Sequence, residues 1–247
     1  MKISEYTQQL QTLDDWTPFL RRHSGLPGPR GNLELAEAAA RLDPLRLDAY
    51  LALDAQTAPE NTPETFLAFC GVYGLGVRLA GGESTALARL KNFAIDPRWR
   101  VREAVAMALQ IWGDAHPLAL FDEMQRWTGG GWLEQRAALA AVCEPRLLKT
   151  PQHAAAALAI VDAITVHLSQ APVDERRDPG FVALRKALAY GWSVVIAALP
   201  EAGKPSFEAW LASPDRDVRW VLRENLKKNR LLRLDLAWVQ TALSRLG

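Results

Sequence analysis

The placement of proline constrains the fold of this chain more than any other feature of its sequence. Proline repeatedly follows Ser, Thr or Asp. The side-chain oxygens of these residues accept hydrogen bonds from the free N–H groups at a helix start, and proline in the next position loses no bond because its φ is already helical. Each such pair therefore predicts a helix N-terminus. The pairs are Thr17-Pro18, Asp43-Pro44, Thr62-Pro63, Asp96-Pro97, Thr150-Pro151, Asp178-Pro179 and Ser213-Pro214.

Apolar residues between these pairs recur at helical spacing, as at Leu87, Leu90 and Phe93 or at Val101 and Val105. Alternating strand patterns bounded by Asn-Gly or Asp-Gly turns are missing. We therefore expect an all-α chain whose longest loops are 24–31, 54–62 and 170–178. The predicted helices are 4–13, 18–23, 32–42, 44–54, 63–80, 84–94, 97–112, 117–127, 131–143, 151–169, 180–199, 205–212, 214–228 and 235–246.

An internal repeat accompanies the helical pattern. DPRWRVREAVAMAL (96–109), GGWLEQRAALAAV (130–142) and SPDRDVRWVLRENL (213–226) align on Arg102, Arg136 and Arg219. Each segment follows a shorter amphipathic helix, and a lone helix pair cannot bury its apolar faces, so neighbouring pairs must stack. We expect one continuous domain over 1–247, with clearer repeats in 84–247. Residues 1–83 are expected to form a helical N-terminal cap or degenerate repeats.

These segments resemble the HEAT repeats of armadillo-type α-solenoids over about 85–145 and 180–230. The resemblance rests on Asp96-Pro97 with Val101-Arg102 and on Ser213-Pro214 with Val218-Arg219, while the middle copy departs with Gly130 and Gln135. It implies a right-handed α-solenoid of stacked HEAT-like antiparallel helix pairs. The second helix of each pair would line a concave groove, the default binding site of such a fold.

Two stretches are also similar to repeats of the HEAT-like-repeat alkylpurine DNA glycosylases, namely 90–127 and 184–229. This narrower resemblance implies a basic concave face that cradles duplex DNA, with an acidic residue and aromatic side chains near the damaged base. It assigns the catalytic acidic residue to no particular position of this chain.

Composition excludes several classes of function. The 247 residues carry 29 basic and 28 acidic side chains, a net charge of +1, which excludes a strongly basic, histone-like DNA binder. No uninterrupted apolar run approaches the roughly 18 residues of a membrane span, and the first residues have no apolar core of a secretion signal. Two cysteines fit a reducing cytoplasm. The four histidines show no metal-ligand spacing, so we expect neither a metal nor a cofactor.

A basic stripe is the first candidate site. Arg219, Arg223, Lys227 and Arg230 fall at i, i+4, i+8 and i+11 on one face of the predicted helix and its continuation. Residues 181–247 carry 11 basic against 6 acidic side chains. Such a stripe on an inner helix could bind phosphates in a salt-dependent way. Alternatively, Arg219 pairs with the cap region of its own or the next repeat, and Arg223 and Lys227 form a solvated face near Glu224.

Aromatic residues beside charges form the other candidates. Trp99 lies four residues from Glu103, and Trp220 four residues from Glu224. An aromatic ring beside a carboxylate suits base or sugar recognition, although helix packing also uses tryptophan. A further cluster suits a nucleic acid or another anionic ligand, or alternatively a helix whose apolar side is buried and whose charges lie outside. It comprises Arg185, Lys186, Tyr190 and Trp192.

The segment GLPGPRGN at 25–32 is an unusual loop for a solenoid. Glycine and proline restrict its shape, and Arg30 could reach a partner from it. The loop could equally be a rigid cap over the first repeat.

Two functions therefore stay open. One is an interaction module without catalysis, which binds a protein or peptide in its concave groove. The other is a DNA-binding protein related to the alkylpurine DNA glycosylases, with alkylated duplex DNA as its partner. An exposed groove lined by Arg102, Arg136, Arg185, Arg219 and Arg223 would favour DNA, whereas arginines bonded within the chain would favour the interaction module.

Overall fold

The computed structural model describes residues 2–247, which contain helices, turns and loops and no β-strand. The prediction of an all-α chain is confirmed. The helices are α1 Ile3–Gln11, α2 Thr17–Arg22, α3 Leu33–Leu42, α4 Pro63–Ala80, α5 Thr85–Phe93, α6 Trp99–Ala115, α7 Pro117–Trp127, α8 Trp132–Val142, α9 Pro151–Ser169, α10 Pro179–Ala198, α11 Pro200–Ala209, α12 Arg216–Leu226, α13 Asn229–Leu234 and α14 Leu236–Leu246. Segments of 3-10 helix occur at Pro44–Ala52, Pro145–Leu147 and Glu175–Arg177.

Four of the predicted helix starts are confirmed by their caps. The side chains of Asp43, Thr62, Thr150 and Asp178 each accept a hydrogen bond from a backbone N–H two or three residues later, and the following proline is the first helical residue. The helix after Asp43 is a 3-10 helix rather than an α-helix.

The other three Ser/Thr/Asp-Pro pairs do not cap a helix as predicted. Asp96 accepts from the backbone N–H of Arg98 at 2.8 Å, and Ser213 Oγ accepts from that of Asp215 at 3.2 Å. Each side chain thus closes a turn that precedes its helix, and α6 and α12 begin after the turn. Thr17 already lies inside α2.

The helices after α10 also differ from the prediction. The helix expected at 205–212 begins at Pro200 instead, with Pro205 inside its second turn. The helix expected at 214–228 ends at Leu226, and α13 is a separate helix that was not predicted. Lys228 between them has extended backbone angles, which break the helix.

The chain divides into two compact units, the first ending at Ala115 and the second spanning His116–Gly247. The division falls between α6 and α7. The single continuous repeat domain stays a prediction.

In the first unit, α4 is the central helix and packs against α2, α3, α5, α6 and the 3-10 segment Pro44–Ala52. It is apolar on nearly all sides, as a helix surrounded by others must be. The closest approach is at Gly76, where an added Cβ would lie 2.5 Å from Ala108 Cα of α6. Only glycine allows the two backbones to come this close.

In the second unit, α10 is the central helix and packs against α8, α9, α11, α12 and α13. The fully buried Asn225 of α12 bonds directly to the α10 backbone. Its Oδ1 accepts from Ser193 N at 2.8 Å, and its Nδ2 donates to Leu188 O at 3.0 Å. Buried backbone groups of α10 are therefore satisfied by a neighbouring helix.

Helix α10 is also long and apolar enough, by length and composition, to cross a membrane. The sequence predicts no such segment, because Arg185 and Lys186 interrupt the apolar run. In the structure 56% of its most apolar window is buried within the protein. Phe181, Leu188 and Trp192 are among these buried residues, so α10 occupies the position of a core helix.

Candidate functional site

The first unit contains a pocket of about 110 Å³. Its walls come from the loop before α3, from the start of α3, and from one face each of α4 and α6. The lining residues are Leu26, Pro29, Arg30, Gly31, Leu33, Phe66, Phe69, Trp99, Arg100 and Glu103. We call it the Trp99 pocket.

The loop that forms one wall is held at both ends. Gly25 has a φ of +76°, a backbone conformation that favours glycine. Asn32 N donates to Ser24 O at 2.8 Å, and Asn32 Nδ2 donates to His23 O at 2.8 Å. Asn32 Oδ1 in turn accepts from Leu35 N, so the same side chain caps α3. The loop therefore presents Pro29 and Arg30 from a defined position.

The α4 wall consists of aromatic rings. Phe66 and Phe69 are almost fully buried, with ring centres 6.2 Å apart and ring planes inclined by only 7°. Helix α4 places them on one face because they are three residues apart. They make the bottom of the pocket apolar.

The α6 wall combines an aromatic ring with charge. Trp99 is 44% exposed, whereas its neighbour Arg100 is only 5% exposed. The guanidinium carbon of Arg100 lies 4.5 Å from the centre of a Trp99 ring, a cation–π contact. The indole is therefore held in place while a large part of it stays open to solvent.

Arg100 also ties the loop to α6. Its Nη2 donates to Gly28 O at 2.7 Å and to Asn61 Oδ1 at 3.3 Å, while Gly28 N donates to the same Asn61 oxygen at 3.1 Å. Arg100 Nε lies 3.6 Å from Glu60 Oε1, too far for a hydrogen bond, and has no other acceptor. A buried guanidinium beside the pocket is thus incompletely satisfied.

The size and chemistry of the Trp99 pocket limit what it can hold. Small-molecule sites usually enclose about 300–1,000 Å³, so a pocket of about 110 Å³ fits one side chain of a larger partner better than a whole cofactor. Arg30, Arg100 and Glu103 are the ionisable groups of its lining, and the other seven residues carry no charge.

Nothing in residues 2–247 resembles a metal centre or a reactive thiol. No group of three or more His, Cys, Asp or Glu side chains there is arranged to hold a metal ion. Cys70 and Cys143 are buried free thiols. Burial raises the pKa of Cys70, and it raises that of Cys143 to about 12, so both stay protonated and unreactive at neutral pH.

The structure brings together one of the two predicted tryptophan–carboxylate pairs at a pocket. Trp99 and Glu103 both line the Trp99 pocket, and Glu103 also interacts with other groups of the chain. Trp220 instead stacks against Arg185, whose guanidinium carbon lies 4.7 Å from its ring. Glu224 forms an ion pair with Lys227 at 2.5 Å.

The arginines of the basic stripe on α12 form hydrogen bonds with other groups of the chain. Arg223 Nη2 donates to Leu246 O at 2.8 Å and to Gly247 O at 2.7 Å, and Arg219 Nη2 also donates to Leu246 O. Lys227 is exposed and paired with Glu224. The two arginines thus bond to the last turn of α14.

A buried carboxylate organises the arginines around the start of α12. Asp217 is 2% exposed and accepts hydrogen bonds from Arg185 Nη1 and, at 2.8 Å, from Arg176 Nη1. Arg176 also pairs with Asp215 at 2.7 Å. Burial opposes ionisation of Asp217, but the bonds from Arg185 and Arg176 outweigh it and hold the pKa of Asp217 below its usual value.

The predicted cluster on α10 is divided between core and surface. Trp192 is fully buried and donates from Nε1 to Thr165 Oγ1 at 3.0 Å. Lys186 and Tyr190 are exposed, and the guanidinium of Arg230 stacks on the Tyr190 ring at 4.5 Å. Arg185 of the same cluster is the partner of Asp217.

The remaining predicted arginines are also engaged within the chain. Arg102 donates to Asp96 O and, at 2.8 Å, to Pro97 O, while Arg136 is half-buried and interacts with other groups of the chain. Burial lowers the pKa of Arg102. These bonds hold the turn before α6 against the helix.

Sequence reasoning singled out Trp99, Glu103 and the glycine- and proline-rich loop with Arg30, but as separate features rather than as parts of one pocket. It did not identify Phe66 and Phe69, which follow the ordinary apolar pattern of α4, or Arg100. No sequence pattern indicates that this loop lies against α4 and α6, because the parts are far apart in the chain; Gly28 and Arg100, for example, are separated by 72 positions.

Comparison of the chain with protein-family models, with curated proteins and with solved structures finds no match.

Proposed function

We propose that this chain is a HEAT-like helical-repeat interaction module, which binds a protein or peptide partner and catalyses no reaction of its own. The Trp99 pocket carries the proposal. It offers a partly exposed indole above an apolar bottom, and its volume suits a single side chain. Such pockets anchor the central residues of protein interfaces.

Packing within each unit supports the repeat architecture. In the first unit α2 packs on α4 and α4 on α6, and in the second unit α7 packs on α9, α8 on α10, α10 on α12 and α12 on α14. Contacts between alternate helices are what stacked antiparallel pairs produce. They support helix pairs stacked within each unit, as the proposed right-handed α-solenoid with a concave groove requires.

The engagement of the arginines favours a protein partner over DNA. Arg102, Arg185, Arg219 and Arg223 donate to carbonyl or carboxylate oxygens of the chain. Phosphate binding would have to use the remaining donors of guanidinium groups whose positions these bonds restrict, and any bond broken would offset the gain from counterion release.

A second candidate is a DNA-binding protein related to the alkylpurine DNA glycosylases. One observation favours it, namely that Trp99 and Glu103 line the same pocket. The ring could stack on an extruded base and the carboxylate could stabilise positive charge that develops on the sugar. Glu103→Gln should then abolish release of an N-alkylated base from duplex DNA, measured by chromatography of the free base.

A Trp99→Ala variant tests the proposed interaction module. Peptides are selected from a random phage-displayed library on the immobilised full chain and then synthesised with a fluorescent label. We expect Trp99→Ala to weaken their binding about 30-fold, the loss typical of a central interface residue. Fluorescence anisotropy measures the dissociation constants.

Trp220→Ala is the matched control, since Trp220 is a half-buried tryptophan outside the Trp99 pocket. It should leave peptide affinity within about twofold. A labelled duplex, plain or alkylated, is titrated in parallel at two salt concentrations. If the duplex binds in a salt-dependent way and no peptide is selected, the interaction module is contradicted and the second candidate, a DNA-binding protein related to the alkylpurine DNA glycosylases, is favoured.

Replacing both Arg219 and Arg223 by alanine should destabilise the fold rather than impair binding. The variant loses charged hydrogen bonds to Leu246 and Gly247, which we expect to cost about 2 kcal/mol and to lower the melting temperature by about 4–8 °C. Calorimetry gives the melting temperature and anisotropy the duplex affinity. An unchanged melting temperature with weakened duplex binding would place these arginines in a DNA-binding groove instead.

A further inference from the structure

We propose that the Trp99 pocket recognises a peptide in which an uncharged apolar side chain of about leucine size is followed or preceded by an acidic residue. The apolar side chain would enter the pocket, and the carboxylate would pair with Arg30 on the rim. This inference rests on the proposed function and names the chemistry of its partner.

The bottom of the pocket selects an apolar side chain. Leu26, Phe66 and Phe69 are buried, and Leu33 and Trp99 complete the apolar part of the wall. A polar side chain placed against these groups would lose its hydrogen bonds to water without finding new partners. The volume of about 110 Å³ suits a leucine- or methionine-sized group and lies below the usual range of sites that enclose a whole small molecule.

The charges around the pocket disfavour a cationic side chain. Aromatic rings bind ammonium groups through their faces, but the guanidinium of Arg100 already lies against Trp99 at 4.5 Å. A lysine or methylated lysine would meet this positive charge. Two of the three ionisable lining residues are arginines, and the third, Glu103, interacts with other groups of the chain.

Arg30 is the group best placed to bind a carboxylate. Its side chain is 66% exposed, and its nearest carboxylate oxygen, Glu34 Oε1, lies 3.5 Å away in an exposed i,i+4 pair. Such pairs are weak and exchange partners readily. Glu34 and Glu60 reduce the local positive charge, but neither lines the pocket, and Arg100 Nε still lacks an acceptor.

The rigid loop supports this role. Gly28 O and Gly28 N are both bonded, to Arg100 and to Asn61, and Asn32 closes the far end of the loop on Ser24. Arg30 therefore starts from a defined backbone position beside the pocket. Little backbone entropy is lost when it engages a ligand.

Short blocked dipeptides test the chemistry even though the natural partner is unidentified. The probes are N-acetyl-Asp-Leu-amide, its Asn-Leu and Lys-Leu analogues, and Asp-Ala-amide. Binding to the full chain is followed by NMR of the ¹⁵N-labelled tryptophan indoles, with the Trp99 signal assigned by its loss in Trp99→Phe. We expect Asp-Leu to shift the Trp99 signal and to bind about two- to fivefold tighter than Asn-Leu, and Asp-Ala to leave the signal unshifted.

A charge reversal at Arg30 provides the decisive comparison. Arg30→Glu should invert the preference, so that Lys-Leu binds more tightly than Asp-Leu. Arg22→Glu, which reverses an exposed charge of α2 outside the pocket lining, should leave the preference unchanged. Both variants should keep the wild-type melting temperature because both side chains are exposed.

The outcomes that contradict this inference can be distinguished from those that contradict the proposed function. No Trp99 shift with Asp-Leu, or equal affinities for Asp-Leu and Asn-Leu in both the wild type and Arg30→Glu, contradicts it. Phage-selected peptides that bind in a Trp99-dependent way but share no apolar–acidic pair overturn it while the proposed function stands. If no selected peptide depends on Trp99, the proposed function itself fails.

Discussion

Replacing Asp217 by asparagine should lower the free energy of unfolding by about 3–5 kcal/mol. Asp217 is buried at the start of α12 and accepts hydrogen bonds from both Arg185 and Arg176. Asparagine has nearly the same shape but no charge, so Arg185 would lose its carboxylate partner. Breaking a buried ion pair by removing one member costs more than the pair itself contributes, because the other charge is left uncompensated.

The same carboxylate makes stability depend on pH. The pKa of Asp217 is lowered in the folded chain, so its stabilising effect is fully present above the pKa of an unfolded aspartate, about 3.9. It is lost as the pH falls below that value towards the lowered folded pKa. The difference in unfolding free energy between wild type and Asp217→Asn should therefore be constant from neutral pH to about pH 5 and shrink below about pH 4.

Urea unfolding followed by circular dichroism across this pH range measures both effects. Glu224→Gln is the matched control, because Glu224 forms an i,i+3 pair with the exposed Lys227, and it should change stability by less than about 0.5 kcal/mol. A loss below about 1 kcal/mol for Asp217→Asn, or a loss that persists undiminished at about pH 3, would show that the two arginines do not depend on this carboxylate.

Replacing Trp192 by alanine should cost about 3–5 kcal/mol of stability and leave the affinity of the folded protein for its peptide unchanged. Trp192 is fully buried, contacts Phe207 edge-on at 5.7 Å, and donates to Thr165 Oγ1. Alanine would open a cavity in the core of the second unit and remove the indole N–H that donates to Thr165 Oγ1.

Two other variants serve as comparisons for Trp192→Ala. Trp192→Phe retains an aromatic ring and loses only the indole N–H and part of the volume, so it should cost clearly less than alanine. Trp99→Ala, at a partly exposed position, should change stability by less than about 1 kcal/mol while weakening peptide binding. Chemical denaturation and anisotropy give the two readouts. If the folded Trp192→Ala variant bound the peptide more weakly, Trp192 would belong to the candidate site.

Sequence reasoning identified Trp192 and Arg185 as candidates because aromatic and basic residues lie close together there. Adjacency along a helix does not say which face is buried, and Trp192 lies on the face of α10 that packs into the core. Arg185 lies seven residues earlier, nearly on the same face but two turns along the helix, and there it meets Asp217 of α12, which is 32 residues away in the chain. The same local pattern is therefore compatible with a core, a surface or a ligand site.

The Trp99 and Glu103 pair shows the opposite case. Four residues apart on a helix, they share a face whatever else the chain does, and the structure places both in the lining of one pocket. The spacing alone could not supply the other walls. Phe66 and Phe69 come from α4, and Arg30 comes from a loop whose position depends on Arg100 and Asn61.

Features that depend on short-range interactions could be predicted from the order of the amino acids. Helical periodicity specified an all-α chain, and the caps at Asp43, Thr62, Thr150 and Asp178 specified where four helices begin, because a side chain and the N–H groups it bonds are two or three residues apart. Which arginines are engaged and where a pocket opens became evident only from the packing of the helices. Those features depend on contacts between residues far apart in the chain, such as Arg223 with Leu246 and Arg100 with Gly28, and local propensities carry no information about such contacts.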